Sequence, residues 1–283
     1  MATFTNQASL SYNNTVINSN VVTGELLDVL SATKTAVNDE YIRDDAITYA
    51  VSITNTGTAP FTNLTLTDNL GAYVSEGITV YPLTYNDDAV LYYINGVLQP
   101  SVTVTAGPPL TITGINVPAG GNALLVYTVN ANEFAPLAEG STIVNTATVS
   151  GGGLTTPIEA SETVTVSDAA DLSITKAISP VPVSDNETLT YTFTIQNYGN
   201  TAADATDDIV LTDTFDPILT NLTVTFNGTT WTEPANYTYD EATGLFRTTA
   251  GQITVPAATY TTNPDGTITT TPGVSILTVS GTV

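Results

Sequence analysis

The chain has 283 residues, with 27 Asp and Glu against 4 Lys and Arg, and its formal net charge is −23. This charge argues against nucleic acids and anionic membranes as partners, because both require cationic patches. His and Cys are absent, so the commonest metal ligands, general bases and thiol nucleophiles are missing and no disulfide can form. We therefore expect no cofactor, no metal site and no enzyme.

The N-terminal segment, residues 1–24, does not resemble a secretion signal. Its first eight residues have neither a basic region nor an apolar stretch, so we expect no cleaved signal peptide. No part of the chain approaches the roughly 20 consecutive apolar residues of a membrane span. We expect a chain that does not enter the membrane.

The rest of the chain is dominated by alternation with period two and by Val, Ile, Thr and Tyr, which favour strands. Turn dipeptides such as Asn95-Gly96 and Asn227-Gly228 separate the alternating segments. The clearest predicted strands, in chain order, are residues 47–55, 64–68, 124–129, 189–197, 209–213 and 276–279. The predicted fold is all-β, with two tandem antiparallel β-sandwiches.

An internal repeat sets the two sandwiches in register. Lys34 and Lys176 are the only lysines, and they lie in the related segments LSATK and LSITK. Each lysine precedes an Asn, at position 55 or 197, by 21 residues, and Asp68 matches Asp213 after a three-residue insertion. Agreement over this length indicates duplication. We predict a first repeat over residues 25–168 and a second over residues 169–283.

The second repeat is one strand short. Residues 274–279 match residues 123–128, but no counterpart of residues 143–149 follows them. The missing segment resembles the beginning of the chain, because residues 4–12 (FTNQASLSY) match residues 143–151 (IVNTATVSG) and align Asn6 with Asn145. A strand donated by another copy supplies backbone hydrogen bonds and covers an exposed sheet edge. We therefore predict that the N-terminal segment of one subunit completes the second sandwich of another.

Four short motifs resemble the conserved-repeat family known as domain of unknown function 11. They are residues 145–149 (NTATV), 172–176 (LSITK), 190–199 (TYTFTIQNYG) and 211–213 (LTD). The resemblance implies a bacterial surface protein built from immunoglobulin-like sandwiches. A two-repeat chain of this size looks like the subunits of spore appendages in anaerobic spore-formers. This implies an extracellular appendage or spore-surface location and no catalysis, with copies of the chain, and other appendage proteins, as partners.

The two lysines suggest a covalent hypothesis and a simpler alternative. A buried, neutral lysine amine can attack an Asn carboxamide when a neighbouring carboxylic acid moves the protons. In this hypothesis Lys34 bonds to Asn145 with Asp68 as acid and base. In the second sandwich Lys176 bonds to Asn6 of a neighbouring subunit with Asp213 in the same role. The alternative is that each lysine forms an ion pair with its Asp.

The leading interpretation is a self-assembling structural subunit that polymerises by exchange of its N-terminal strand. An adhesin or carbohydrate-binding surface module is the alternative, and an enzyme ranks third. Calcium could bind acidic pairs at the domain junctions, although solvated acidic loops are commoner. The pairs are residues 39–40, 44–45, 87–88 and 207–208.

Overall fold

A computed structural model describes residues 2–26, 28–86 and 90–283. The chain begins with a two-stranded antiparallel ribbon, in which β1 pairs with β4 and β2 pairs with β3. Asn13 and Asn14, at the tip, both have positive φ (47° and 60°), as a two-residue hairpin turn requires. The ribbon strands are β1 (Ala2–Asn6), β2 (Ser9–Tyr12), β3 (Thr15–Asn18) and β4 (Val22–Leu26).

The first sandwich follows, and its two main sheets each contain six strands. Its strands are β5 (Leu30–Ala36), β6 (Glu40–Tyr41), β7 (Ala46–Asn55), β8 (Phe61–Asp68), β9 (Tyr73–Ser75), β10 (Ile78–Val80), β11 (Leu83–Tyr85), β12 (Leu91–Ile94), β13 (Val97–Leu98), β14 (Thr103–Thr105), β15 (Leu110–Val117), β16 (Asn122–Ala131), β17 (Thr142–Gly151) and β18 (Ile158–Val166). One sheet has the order β13-β12-β16-β7-β5, with β11 also on β16, and the other has the order β14-β15-β8-β17-β18-β6. All these pairings are antiparallel except that of β6 with β18.

The second sandwich is smaller. Its strands are β19 (Leu172–Ser179), β20 (Thr188–Asn197), β21 (Thr212–Thr214), β22 (Thr220–Phe226), β23 (Thr229–Trp231), β24 (Tyr237–Asp240), β25 (Leu245–Thr248), β26 (Thr259–Thr262), β27 (Ile268–Thr271) and β28 (Gly273–Thr282). One sheet has the order β19-β20-β28-β22-β23, a second has the order β21-β25-β24, and β26 pairs with β27. A single 3₁₀ turn, Ala205–Asp207, lies within the described residues between β20 and β21. This architecture confirms the predicted all-β fold of antiparallel sandwiches.

Each sandwich has its own hydrophobic core. Alternating side chains of the facing sheets form it, as in β7, where Ile47, Tyr49, Val51 and Ile53 are fully buried. The core of the first sandwich draws its buried residues from positions 30–166, and that of the second from positions 189–279. The two cores lie on either side of the predicted division at 168–169.

The hairpin β26–β27 joins the two sandwiches. Tyr260 of β26 packs against the first core. The Arg43 guanidinium donates a hydrogen bond to the Ile268 carbonyl at 2.9 Å, and the Ile268 N–H donates to the Glu133 carbonyl at 2.8 Å. These contacts connect the second sandwich to a loop face of the first.

The predicted strands and turns agree with the structure except in two places. The segment 209–213 is a strand only from Thr212. The Leu211 N–H instead bonds to the Thr248 side-chain hydroxyl at 2.9 Å, and the Thr248 N–H returns a bond to the Leu211 carbonyl. A side-chain bond therefore replaces the regular ladder at this point.

The second difference concerns the alignment of the repeats. Lys34 pairs with Val51, which pairs with Leu125, while Lys176 pairs with Phe193, which pairs with Leu277. Leu277 therefore corresponds to Leu125, and the predicted match of residues 274–279 to 123–128 is wrong by one residue. Since side chains alternate along a strand, a shift of one residue exchanges the buried and exposed faces.

No helical segment in the described ranges is long and apolar enough to cross a membrane.

Candidate functional site

Lys34 and Asp68 meet inside the first sandwich. They come from opposite sheets, Lys34 from the edge strand β5 and Asp68 from the last position of β8. Their Nζ and Oδ2 atoms are 2.6 Å apart, and both side chains are 0% exposed. The ion pair is thus completely removed from water, where losing either partner would leave an uncompensated buried charge.

Two further donors hold the Asp68 carboxylate. The Tyr127 hydroxyl donates to the same Oδ2 that Lys34 contacts. The Leu70 N–H donates to Oδ1 at 2.8 Å, because the chain turns immediately after β8. Asp68 therefore accepts hydrogen bonds from a lysine, a phenol and a backbone amide, which fixes its orientation.

Lys34 lies over aromatic rings as well as beside its acid. Its Nζ is 4.4 Å from the centroid of Tyr49 and 6.0 Å from that of Tyr127. Burial lowers the pKa of Lys34 from 10.5 to about 8, even though Asp68 and Glu162 act to raise it. At pH 7 this lowered pKa makes the neutral amine more populated than it is in an exposed lysine.

Asn145 lies on β17, beside β8 in the same sheet. Asp68 pairs with Ala147, so Asn145 is two positions along on the same face. Its side chain is fully buried. Its Oδ1 accepts the Gly71 N–H at 3.3 Å, whereas its Nδ2 has no hydrogen-bond partner. A buried amide nitrogen with no partner is unusual and calls for an explanation.

Tyr49 connects the lysine with the asparagine. Burial raises the pKa of the Tyr49 phenol, and the nearby Asn145 side chain partly offsets that rise. The Tyr49 hydroxyl makes no well-formed hydrogen bond. The structure thus brings Lys34 and Asp68 into direct contact and places Asn145 against the tyrosine on which Lys34 lies.

The second sandwich contains a similar but open site. Lys176 of β19 forms an ion pair with Asp213 of β21, and their side chains are 41% and 19% exposed. Lys176 Nζ is 4.4 Å from the centroid of Tyr191 and 5.6 Å from that of Phe215. Tyr191 corresponds to Tyr49, so the lysine, acid and tyrosine are repeated.

Two parts of the first site have no counterpart in the second. Val279 stands where the corrected alignment places Tyr127, so no phenol reaches Asp213 from that position. Among the described residues, no strand corresponding to β17 lies beside β21, which pairs only with β25, whereas β8 pairs with both β15 and β17.

Asn6, the predicted partner of Lys176, is elsewhere in the isolated chain. It lies at the end of β1, is exposed, and pairs with Val22 of β4. A single subunit therefore does not bring Asn6 to the Lys176 site.

Sequence reasoning missed Tyr49, Tyr127 and Gly71 as members of the site. The repeat contained a signal for Tyr49, because Thr48-Tyr49 matches Thr190-Tyr191. Comparing the repeats could not reveal Tyr127, since its counterpart is a valine. The Gly71 contact is made by the backbone, and its only signal in the sequence is the glycine itself, which a φ of 70° and a Cβ position 2.5 Å from Ile143 Cγ2 require.

Of the described acidic pairs considered for calcium, Asp44-Asp45 and Asp207-Asp208 lie in turns, whereas Glu40 lies in β6 and its carboxylate accepts a hydrogen bond from the Ser167 hydroxyl. Asp45 accepts the Ile42 N–H, and Asp207 accepts the Asp204 N–H. In the described ranges no group of three or more acidic side chains could hold a metal ion. The pair Asp87-Asp88 lies outside the described residues.

No family model and no curated protein matches the chain. Among solved structures, a 35 kDa C-terminal fragment of the major pilin GBS80 of Streptococcus agalactiae is similar, with 14% identity and a TM-score of 0.35 over 51% of this chain and 58% of the fragment. The major pilin subunit BcpA of Bacillus cereus is similar over 95% of this chain and 73% of its own, with 13% identity and a TM-score of 0.36. The major pilin SpaD of Corynebacterium diphtheriae is similar over 85% and 60%, with 13% identity and a TM-score of 0.37. The chain therefore spans less than two thirds of the first and third of these structures. Similarities of this size do not indicate a shared function.

Proposed function

We propose that the chain is the structural subunit of an extracellular fibre. Its copies join when the N-terminal segment of one subunit completes the second sandwich of the next. The observation that carries this proposal is the repeated lysine–acid site, which β17 completes in the first sandwich and which stays open in the second.

The difference in exposure of matched residues supports the proposal. Lys34 is 4% exposed as a residue and Leu30 is 7% exposed. Their counterparts are much more open, since the Lys176 side chain is 41% exposed and Leu172 is 39% exposed. Covering these positions would remove apolar surface from water, at about 25 cal/mol per Å² of buried area.

We further propose that an isopeptide bond forms in each completed sandwich. Proton transfer within the Lys34–Asp68 pair gives a neutral amine and a carboxylic acid. The amine attacks Cγ of Asn145, whose carbonyl oxygen already accepts the Gly71 N–H. A proton passes from the attacking nitrogen to Nδ2 through Asp68 as the Cγ–Nδ2 bond breaks. The new bond joins Nζ to Cγ, ammonia leaves, and Asp68 remains neutral.

In the second sandwich the same step would join Lys176 to Asn6 of the incoming subunit, with Asp213 moving the proton. The first bond would lock a domain, and the second would link neighbouring subunits covalently. The buried Asn145 amide lies beside the Tyr49 phenol over which Lys34 lies, so the amine and its proposed acceptor share one neighbour. The resemblance to the family known as domain of unknown function 11 favours a bacterial surface appendage, and the two-repeat organisation favours a spore appendage.

Deletion of residues 1–20 tests the fibre proposal. The full chain should form fibres that resist boiling in detergent and run as a covalent ladder on a gel. The truncated chain should fold and remain monomeric, since its own strands supply both cores. Fibres from the truncated chain would contradict strand donation. Complete release of monomer from boiled wild-type fibres would contradict only the covalent link.

A further inference from the structure

The first sandwich is closed by a hairpin rather than by one strand. β17 and β18 pair along their length, from Thr142 opposite Thr165 to Val149 opposite Ile158. β17 extends the sheet beyond β8, and β18 packs against β5, the strand that carries Lys34. Both strands of the hairpin are therefore needed to enclose the lysine.

The N-terminal ribbon matches the register of this hairpin along β1 and β4, and its pairing shifts by one residue before β2 and β3. β2 ends at Tyr12, which aligns with Gly151 at the end of β17. Asn6 pairs with Val22 as Asn145 pairs with Glu162, and β4 ends at Leu26 as β18 ends at Val166. The second strand of the ribbon, formed by β3 and β4, is thus the counterpart of β18. Its first strand, formed by β1 and β2, is the counterpart of β17.

The ribbon has an apolar face that no part of the described structure covers. Alternation places Phe4 and Leu10 on the face of Asn6, and cross-strand pairing places Val22 and Ile17 there too. These four apolar residues are 57%, 65%, 55% and 59% exposed, in that order. The opposite face of the first strand is polar, with Thr5, Ser9 and Ser11. A two-stranded ribbon exposed on both faces is marginally stable by itself. We therefore expect its apolar face to be buried against another surface.

The second sandwich exposes the edges that such a hairpin would cover. Every residue of β19 is exposed. Ile174 is 56% exposed and Ile178 is 46% exposed. They occupy the positions of Ala32 and Ala36, which are partly buried against the first core. β21 has one unpaired edge, as described above.

We infer that the donated element is the whole β1–β4 hairpin of a second copy of this chain. Its first strand pairs with the free edge of β21, and its second strand packs against β19. This rests on the proposed strand donation and replaces a single donor strand by two. Val22 then takes the position of Glu162, so the acidic neighbour of Lys34 has no equivalent beside Lys176.

Three single substitutions in the full chain test the inference. Leu10→Asp alters the apolar face of the first strand, and Ile17→Asp alters its cross-strand partner on the second. Val16→Asp is the matched control, because Val16 is 65% exposed on the opposite face. All three should leave the thermal unfolding of both sandwiches unchanged, which is checked first by calorimetry.

Fibre yield is then measured by sedimentation. Leu10→Asp and Ile17→Asp should each reduce the yield at least about tenfold, since an unpaired carboxylate would enter an apolar interface, while Val16→Asp should assemble like the wild type. If Leu10→Asp blocks assembly and Ile17→Asp does not, the donor is a single strand and the proposed fibre still stands. If the wild-type chain forms no fibres, the proposed function itself fails.

Discussion

At the scale of single residues, burial controls the chemistry of Lys34. The sandwich holds its ammonium against Asp68, and the same burial makes the charge costly. This environment allows two outcomes for Lys34, an unreacted ion pair or an isopeptide bond. An unreacted Lys34 is a buried ion pair, which contributes little net stability, whereas a reacted Lys34 is a cross-link that closes a long loop.

The cross-link is detected by mass and by stability. A chain cross-linked in its first sandwich should have an intact mass lower by one ammonia than the mass calculated from its sequence. The Asn145→Ala variant should have the full mass calculated from its own sequence. By analogy with a disulfide closing a loop of about 100 residues, the variant should lose about 4–5 kcal/mol in the free energy of unfolding. Denaturant titration measures this loss. A wild-type monomer with the unmodified mass would exclude the bond.

The unreacted pair should respond to pH in a defined direction. In Asn145→Ala, burial lowers the pKa of Lys34 in the folded state, to about 8 in the wild-type environment. Above this pH the unfolded chain therefore binds more protons than the folded chain. Stability should therefore increase with pH, by about 2 kcal/mol between about pH 7 and about pH 9.5.

Tyrosines whose pKa is raised by folding act in the opposite direction, but only near and above their unfolded pKa of about 10. The triple variant Lys34→Met/Asp68→Asn/Asn145→Ala, which leaves no unpaired buried charge, is the control and should show no such increase. Urea unfolding at a series of pH values makes the measurement. A flat profile in Asn145→Ala would mean that Lys34 is not desolvated as the structure indicates.

At the scale of elements, the two edge strands β5 and β19 have the same sequence pattern and opposite burial. Leu30 and Lys34 are buried and Ala32 is partly buried, because β17 and β18 follow them in the same chain. The counterparts on β19 are exposed because no later strand exists in the described structure to cover them. The exposed strand carries larger apolar residues, Ile174 and Ile178, than the covered one.

This asymmetry predicts that a substitution on β19 can give a subunit that stops fibre growth. Ile174→Asp should fold normally, because its side chain is already 56% exposed, but its second sandwich should not accept a donor. Mixed with the wild type, it should cap growing fibres and shorten them. Mixed with Leu10→Asp, which can accept but not donate, it should give dimers only.

Size-exclusion chromatography with light scattering distinguishes these species. Val181→Asp is the control, since Val181 is 74% exposed and lies outside β19. It should assemble like the wild type. Fibres of normal length formed by Ile174→Asp alone would place the acceptor surface elsewhere.

At the scale of the whole molecule, assembly brings together subunits that each carry a net charge of −23. Such charge favours solubility and opposes association. The Debye length falls from about 30 Å at about 0.01 M salt to about 8 Å at about 0.15 M. Fibre growth should therefore be faster in NaCl at the higher ionic strength, as followed by light scattering.

A matched experiment with CaCl₂ at equal ionic strength separates screening from ion binding. Equal rates in the two salts would indicate screening alone. A much faster rate in calcium would revive the acidic pairs as cation sites, including Asp87-Asp88. Growth that slows with added salt would contradict the repulsion argument.

The lysine and acid of the candidate site could be predicted from the sequence, because both residues occur in each of the two predicted repeats. Lys34 and Asp68 were identified through their counterparts Lys176 and Asp213, and the structure pairs both sets. Tyr127 could not be predicted as a site residue, because only one repeat has a tyrosine at this position and because the predicted alignment of β28 was wrong by one residue. Matching residue types does not determine the register of two strands, because register depends on which backbone carbonyl pairs with which backbone amide.

The sequence by itself determined the β-fold, and the spacing of its motifs predicted the duplication. These features depend on local alternation and on spacing along the chain. Only the tertiary structure decided that the N-terminal segment forms a hairpin, that Tyr127 contacts Asp68, and that one lysine is enclosed while the other is open. Each of these depends on strands far apart in the sequence, and their contacts are set by sheet pairing and packing across the core.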